Sequence, residues 1–440
     1  MKLAAAEVGE PPERPLTEQE YHLQVARDLR RNYIANLAHG MLGMTGFRLV
    51  SAPTFVPAYI FVLSGSQLAV GMALAAQFLG MAMSSIWGAT VIEHRRRVMP
   101  VVYFVGWMMR LQILALALSG YLLDGSAALA AACIFLSLFG FFGGMQGVSF
   151  HFLMSKVIPV NKRGRLTGMR NFLGGLTAAG VAYLGGEYLV GANLLGNGYA
   201  TTFLAAFILT SLGITALSFV REPPSPEVRV ATPLRNRLRD VPWLLRSDRD
   251  FTRFLLARGL AAAGTIAVPF YAIYAGRYID LSGSALGYLS LAFLLAQTVS
   301  NLAWGRLADR HGNRIVFLLS VSLWMAAAVQ LVGSTSLPAF MLAFCGLGAG
   351  FGGFQIASQN LVLEFGQRHE LPMRIAVSDT VCYAMMALGP VLGGVIAQSG
   401  AFAQVFWIAI AVKALALMAI LRVADPRKRL TSIPQQETTS

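Results

Sequence analysis

The sequence predicts an all-α polytopic membrane protein, with about 12 transmembrane helices in two pseudo-symmetric six-helix bundles. Three observations carry this. Of 440 residues, 56% are hydrophobic and only 13% charged, where soluble domains carry roughly 25% charged residues. Apolar runs recur along the chain, each near the length of about 20 residues that a helix needs to cross a hydrocarbon core of about 30 Å. The later runs also repeat short polar anchors of the earlier ones in the same order. A formal net charge of +14 would suit nucleic-acid binding, but the Lys and Arg sit in short turns between apolar runs, which excludes it.

In the order of the chain, residues 1–37 form a cytoplasmic N-terminal amphipathic segment. The first roughly 30 positions are polar and lack an apolar signal core, which argues against a cleavable leader. Thr17 and Glu20 have capping-box spacing, and Leu16 is placed to staple onto Tyr21. Residues 38–220 make the N-terminal six-helix bundle, with apolar runs at 38–63, 66–92, 100–122, 127–155, 165–190 and 199–220. Residues 221–252 are a cytoplasmic central loop: REPPSPE reads as an extended connector, and Thr232-Pro233 then caps a short helix with Leu234, Leu238 and Trp243 toward the headgroups. Residues 253–423 make the C-terminal six-helix bundle, with runs at 253–279, 284–308, 315–334, 337–363, 372–398 and 402–423; 424–440 is a cytoplasmic tail.

Charge sets the sidedness. One set of alternate turns collects Arg27, Arg30 and Arg31, then Arg95 to Arg97, then Lys162, Arg163 and Arg165, and later Arg310, Arg314 and Arg374. The intervening turns (LSGSQ, LLDGSA, GANLLGNGYA, GSTSLP, QSGAFAQ) hold almost none, Arg277 being the exception. Short cytoplasmic loops carry the positive excess, so both termini are expected in the cytoplasm.

The internal repeat has two blocks. LSGS at Leu63 to Ser66 recurs at Leu281 to Ser284, followed by IWG (Ile86 to Gly88) and AWG (Ala303 to Gly305), with Trp107 matching Trp324. FGGMQ (Phe142 to Gln146) recurs as FGGFQ (Phe351 to Gln355), and this register sets Arg165 against Arg374 without a gap.

The turn most specific in pattern is WGRLADRHGNR, Trp304 to Arg314, with Gly305, Asp309, Arg310, Gly312 and Arg314 as its fixed points. It resembles the signature loop of the major facilitator superfamily of secondary transporters, between the eighth and ninth spans. The repeat and the RGRLTGMRN turn (Arg163 to Asn171) agree with that family over residues 34–423. The first-half counterpart, WGATVIEHRRR, departs from it, with Glu93 in place of aspartate and no glycine in the turn. The resemblance implies a cytoplasmic gate. Asp309 would face the start of the fifth span near Gly164 to Thr167, with Arg165 in the gate, where a helix N-terminus favours a carboxylate. Arg310 or Arg314 would bridge to Glu364, and Glu93 would face the start of the eleventh span near Arg374. The alternative is that these charges solvate tight turns. GPVLGG (Gly389 to Gly394) resembles a glycine-proline motif of antiporters in the family, here in the eleventh span instead of the fifth; helix packing explains it equally.

Ionisable groups within spans point to function. The resemblance places the first span on a central cavity, which makes Arg48 the leading contact for a solute anion. Gln146, Tyr271, Tyr274, Gln355 and Gln359 are further substrate-binding candidates, each also readable as a helix–helix hydrogen bond. Asp379 and His151 are the proton-coupling candidates; Asp379 either carries the proton or pairs with Arg374 or Arg258. Arg110 and Lys413 read as structural cations. Three cysteines far apart and scattered histidines give no disulfide framework or metal site. No cofactor is expected, and no hydrolase set or phosphate loop supports an enzyme. The expected partners are a small-molecule solute, a coupling proton and the lipid bilayer, for a monomer in the cytoplasmic (inner) membrane. Two rival readings stand beside this one: a drug-efflux antiporter, and a non-transporting sensor or scaffold of the same fold.

Overall fold

The computed structural model describes residues 16–92, 94–226, 234–365 and 371–423. The first helix, α1 (Glu18–Ser51), starts on the expected capping box: the Glu20 amide donates to the Thr17 hydroxyl, and the Thr17 amide donates back to the Glu20 carboxylate at 2.8 Å. It runs straight through the expected boundary at residue 37, since its first proline is Pro53. That proline cannot donate to the helical ladder, and the span resumes as α2 (Phe55–Ser64). The first bundle continues with α3 (Gln67–Ile92), α4 (Met99–Leu122), α5 (Gly125–Val157), α6 (Val160–Leu184) and α7 (Gly198–Leu217). A short helix α8 (Leu234–Ser247) leads into α9 (Arg249–Ala263) and, beyond a 3-10 turn at Gly264–Phe270, into α10 (Tyr271–Ala275). The remaining spans are α11 (Gly283–His311), α12 (Asn313–Val332), α13 (Leu337–Leu361), α14 (Leu371–Gln398) and α15 (Phe402–Leu421).

Counting α1–α2 and α9–α10 as one span each gives twelve spans among the described residues. Eleven are long and apolar enough to cross a membrane on their own composition. The other is α6, which opens with VNKRGRLTGMRN and is held by packing on α1 and α11.

The repeat read in the sequence is also a repeat of packing. In the first bundle α1 packs on α6 and α7, α3 on α5, and α4 on α5 and α7. In the second, α9 packs on α14 and α15, α11 on α13, and α12 on α13 and α15. Each pair is its counterpart moved on by six spans. The bundles meet along two seams, α3 with α14 and α6 with α11, and the same six-span shift exchanges one seam for the other. Both seams are closed by backbone contact. A Cβ on Gly71 would lie 2.1 Å from the Pro390 carbonyl, and one on Gly186 would lie 2.4 Å from that of Gly283. Polar ties at the end away from the basic turns join them further: the Ser66 hydroxyl and the Gln67 amide donate to Gln398 at 3.2 and 3.1 Å.

At the basic end, the leading part of α1 is strapped to its own bundle. Tyr21 donates to the Lys156 carbonyl at 3.0 Å, Arg31 to the Phe219 carbonyl at 2.6 Å, and Asn32 exchanges two bonds with the Arg221 backbone. Glu222 caps α4, accepting from the amides of Val98 and Met99 at 2.8 and 2.7 Å, and pairs with the ammonium of Lys156.

Candidate functional site

A cavity of about 480 Å³ lies between the bundles and is lined from both. The two broken spans shape it. In the first, the Ala52 amide closes α1 on the Arg48 carbonyl, and the Thr54 hydroxyl meets that of Ser290 at 2.8 Å across the seam. In the other, the 3-10 turn containing Pro269 interrupts the seventh span. Irregular backbone at membrane depth is tolerated where it is enclosed by protein or lines a cavity. Ser51, Pro53 and Pro57 face the cavity from one break, and Thr265, Val268 and Pro269 from the other.

Four of the six proposed solute contacts line this cavity: Arg48, Tyr271, Gln355 and Gln359. Arg48 sits in the last turn of α1 and donates to the Thr298 hydroxyl of α11 at 2.9 Å. Gln355 and Gln359 lie one turn apart on α13, both exposed. Tyr271 is part of the wall, its hydroxyl accepting from the Trp324 indole at 2.9 Å. Tyr274 stands past the cavity: it donates to the Val332 carbonyl at 3.1 Å and packs on Phe402 and Phe406. Gln146 faces a second, smaller chamber of about 210 Å³ inside the first bundle, which shares Met44, Phe47 and Gly143 with the main cavity. His151 is exposed one turn beyond Gly147, which lines that chamber, and so lies on the same face of α5.

Of the two partners open to Asp379, the structure pairs it with Arg258, at 2.7 Å. Arg258 also bonds Ser378 and lines the cavity. Arg374 pairs with Asp248 at 2.7 Å, at the start of α9, and lies over the Phe251 ring. Two other deep cations meet carbonyls and rings. Arg110 donates to Thr210 and Gly106, both at 2.6 Å, and Lys413 donates to Gly264 at 2.7 Å with its ammonium over Trp324.

The family model described as Major Facilitator Superfamily matches residues 254–440. The fold is similar to that of a D-xylose-proton symporter, with a TM-score of 0.71 at 12% identity over 91% of this chain and 99% of that one. The second half of the chain thus matches the superfamily's model, and the whole shares the fold of that symporter. A second solved structure, a bacterial homologue of the iron transporter ferroportin in an inward-facing state, gives a TM-score of 0.66 at 14% identity, covering 90% of this chain and 98% of that one. Among curated relatives, the quinolone resistance protein NorA of Staphylococcus aureus is 25% identical over 183 residues, 41% of this chain and 46% of the relative. Multidrug resistance protein D of Escherichia coli is 28% identical over 158 residues, 34% of this chain and 39% of the relative. The chain thus spans less than half the length of these curated relatives.

In the turn that resembles the superfamily's signature, α11 ends at His311 and Gly312, at φ 90°, redirects the chain into α12. Asp309 and Arg310 are exposed, and nothing lies near the position a Cβ on Gly305 would take. Arg314 donates to the last carbonyls of α15, Ile420 and Leu421, at 3.3 and 2.8 Å, where a helix C-terminus favours a cation. Glu364 accepts from Asn313, at 2.7 Å, one residue earlier in the turn. Arg165 is exposed near the start of α6; Glu93 lies outside the described residues.

Sequence reasoning missed Arg170 and His39 as lining groups of the smaller chamber, and Gln77 as a lining group of the larger one. One signal was available for the chamber: between Arg30 and Gly186 the only acids are Glu93 and Asp124, both in turns, while Arg48, Arg110 and Arg170 lie within spans.

Proposed function

We propose that the protein is a secondary transporter of the cytoplasmic membrane, carrying a small organic solute by alternating access. The cross-seam contact with Thr298 made by Arg48, which lines the cavity, is the observation that carries this reading. It ties a cation in the solute's path to the interface that has to part when the bundles rock. Arg48 and Arg258 together favour an anionic or zwitterionic solute.

Protons are the proposed coupling ion. Asp379 is held by Arg258, which lines the cavity; protonating the carboxylate releases the guanidinium toward a solute anion. His151, exposed on the cavity-side face of α5, is the second candidate in that path. The basic turns lie in the cytoplasm with both termini, following the positive-inside rule. There Asp309 near the α6 start with Arg165, Arg310 with Glu364, and Glu93 with Arg374 form the latch of the outward-facing state. The protein acts as a monomer.

A second reading, export of drug-like compounds, is favoured by the names of the curated relatives. The aromatic lining of the cavity by Phe47, Phe78, Phe139, Phe293, Phe351 and Phe354 also suits it. Reconstitution into liposomes with an entrapped pH dye tests both. Organic acids or zwitterions that move protons inward with them support the first reading, and lipophilic cations that exchange for protons support the second. A panel in which no member moves protons or exchanges with its labelled self would leave a scaffold of the same fold.

A further inference from the structure

One pair of equivalent positions is treated differently in the two bundles. Carrying the FGG register along the fifth and eleventh spans sets Arg170 against Asp379, and carrying the LSGS register back along the first and seventh sets Gly40 against Arg258. The paired positions meet in both bundles. Arg258 reaches Asp379 at 2.7 Å, and the position of a Cβ on Gly40 lies 2.2 Å from the Nε of Arg170. So where one bundle holds a guanidinium against a carboxylate, the other holds a guanidinium over a glycine.

Arg170 is 9% exposed, with Nη1 3.6 Å from the Met154 sulfur and its guanidinium over the Phe150 ring. Its Nε has no hydrogen-bond partner, and neither polar atom of the buried Gln146 amide has one. Both residues line the 210 Å³ chamber, beside His39, whose Nδ1 donates to the Gly213 carbonyl at 3.0 Å. A buried guanidinium N–H and a buried amide without hydrogen-bond partners are costly unless something completes them.

We propose that this chamber binds the carboxylate of a small organic acid. The acid's carboxylate gives Arg170 the opposite charge that Asp379 gives Arg258 in the other bundle, accepting from Arg170 and Gln146. Its apolar body passes Met44 and Phe47 into the main cavity, since both residues line the two spaces. The solute class is therefore an amphipathic monocarboxylate, anchored to one bundle before the bundles close on it. The inference deepens the transport reading and rests on it for the movement of the acid, but not for its binding.

The test is titration of the purified full-length protein with benzoate, and with benzamide, benzylamine and sulfate at matched ionic strength, followed by calorimetry and by melting in detergent. Benzoate is expected to bind saturably and raise the melting temperature, because ligands that favour the folded state do so; the other three are expected not to. Arg170→Gln should weaken benzoate about tenfold or more, as loss of a charge-assisted bond does. Gly147→Leu should do the same without touching Arg170, because a Cβ at Gly147 meets nothing within 4 Å and a larger side chain fills the chamber. If Arg170→Gln fails to fold, Gly147→Leu decides alone. Equal stabilisation by benzamide or by sulfate overturns the proposal, as does undiminished benzoate binding by Gly147→Leu. Absent benzoate binding in a protein that still transports other solutes sinks the chamber alone. Benzoate binding in a protein that transports nothing sinks the transport reading and leaves the chamber standing.

Discussion

The Arg48 guanidinium donates to the Thr298 hydroxyl at 2.9 Å, joining the last turn of α1 to α11 across the seam between the bundles. The approach depends on Gly175, where a Cβ would lie 2.0 Å from the Thr298 hydroxyl. A bond between charged and neutral groups is worth about 1.5–3 kcal/mol when well formed, and less here because Arg48 is only half-buried. Arg48→Gln is expected to cut initial transport rates at least about tenfold while lowering the melting temperature by only a few degrees. Normal transport with a large loss of stability would make Arg48 a brace.

Asp379→Asn removes the titratable group from the pair with Arg258. Accumulation driven by a pH gradient should disappear, while exchange of labelled for unlabelled solute should continue. Liposome assays read the two separately, and gradient-driven accumulation by the variant would place the coupling proton elsewhere.

Glu222 is expected to matter for stability and not for transport. It caps α4 and pairs with Lys156, with side chains 3% and 5% exposed. Breaking a buried pair from one side costs about 3–5 kcal/mol, so Glu222→Ala should melt well below the parent.

Gly186→Val forces a side chain into backbone at the α6–α11 seam. Overpacking costs about 1–3 kcal/mol when the structure cannot relax, and here parting of the seam relieves it. Cysteines placed near Gly283 should become more reactive to a membrane-impermeant thiol reagent in this variant; unchanged labelling would show the seam yielding some other way.

Lys413 lies in the core of the second bundle, away from the cavity wall, with one carbonyl and the Trp324 ring as partners. Lys413→Met leaves the Gly264 carbonyl without its donor, at about 1–3 kcal/mol, and relieves the burial of a charge. Melting should change little and transport should persist. Loss of transport by a well-folded variant would bring this cation into the mechanism.

The spans and the repeat were legible because membrane-length apolar runs leave few alternatives, and short anchors such as LSGS and FGG fix a register. The break at Pro53 sat inside a run that hydropathy treats as continuous. Arg48 was legible as a charge at depth, and Tyr274 was misleading, since an aromatic hydroxyl in a span gives no sign of which way it points. Its bond to Val332 depends on the 3-10 turn preceding it. Arg170 was hidden by position: it closes a basic turn motif and read as part of that turn. Its burial comes from Gly40, on a helix more than a hundred residues away in sequence.

The straps from Tyr21, Arg31 and Asn32 make α1 a single rod clamped to the first bundle. At about 1.5 Å per residue its 34 residues extend some 50 Å. The tip at Glu18 is then a pointer needle on that bundle's tilt, where a fluorophore would turn a small rocking angle into a legible swing.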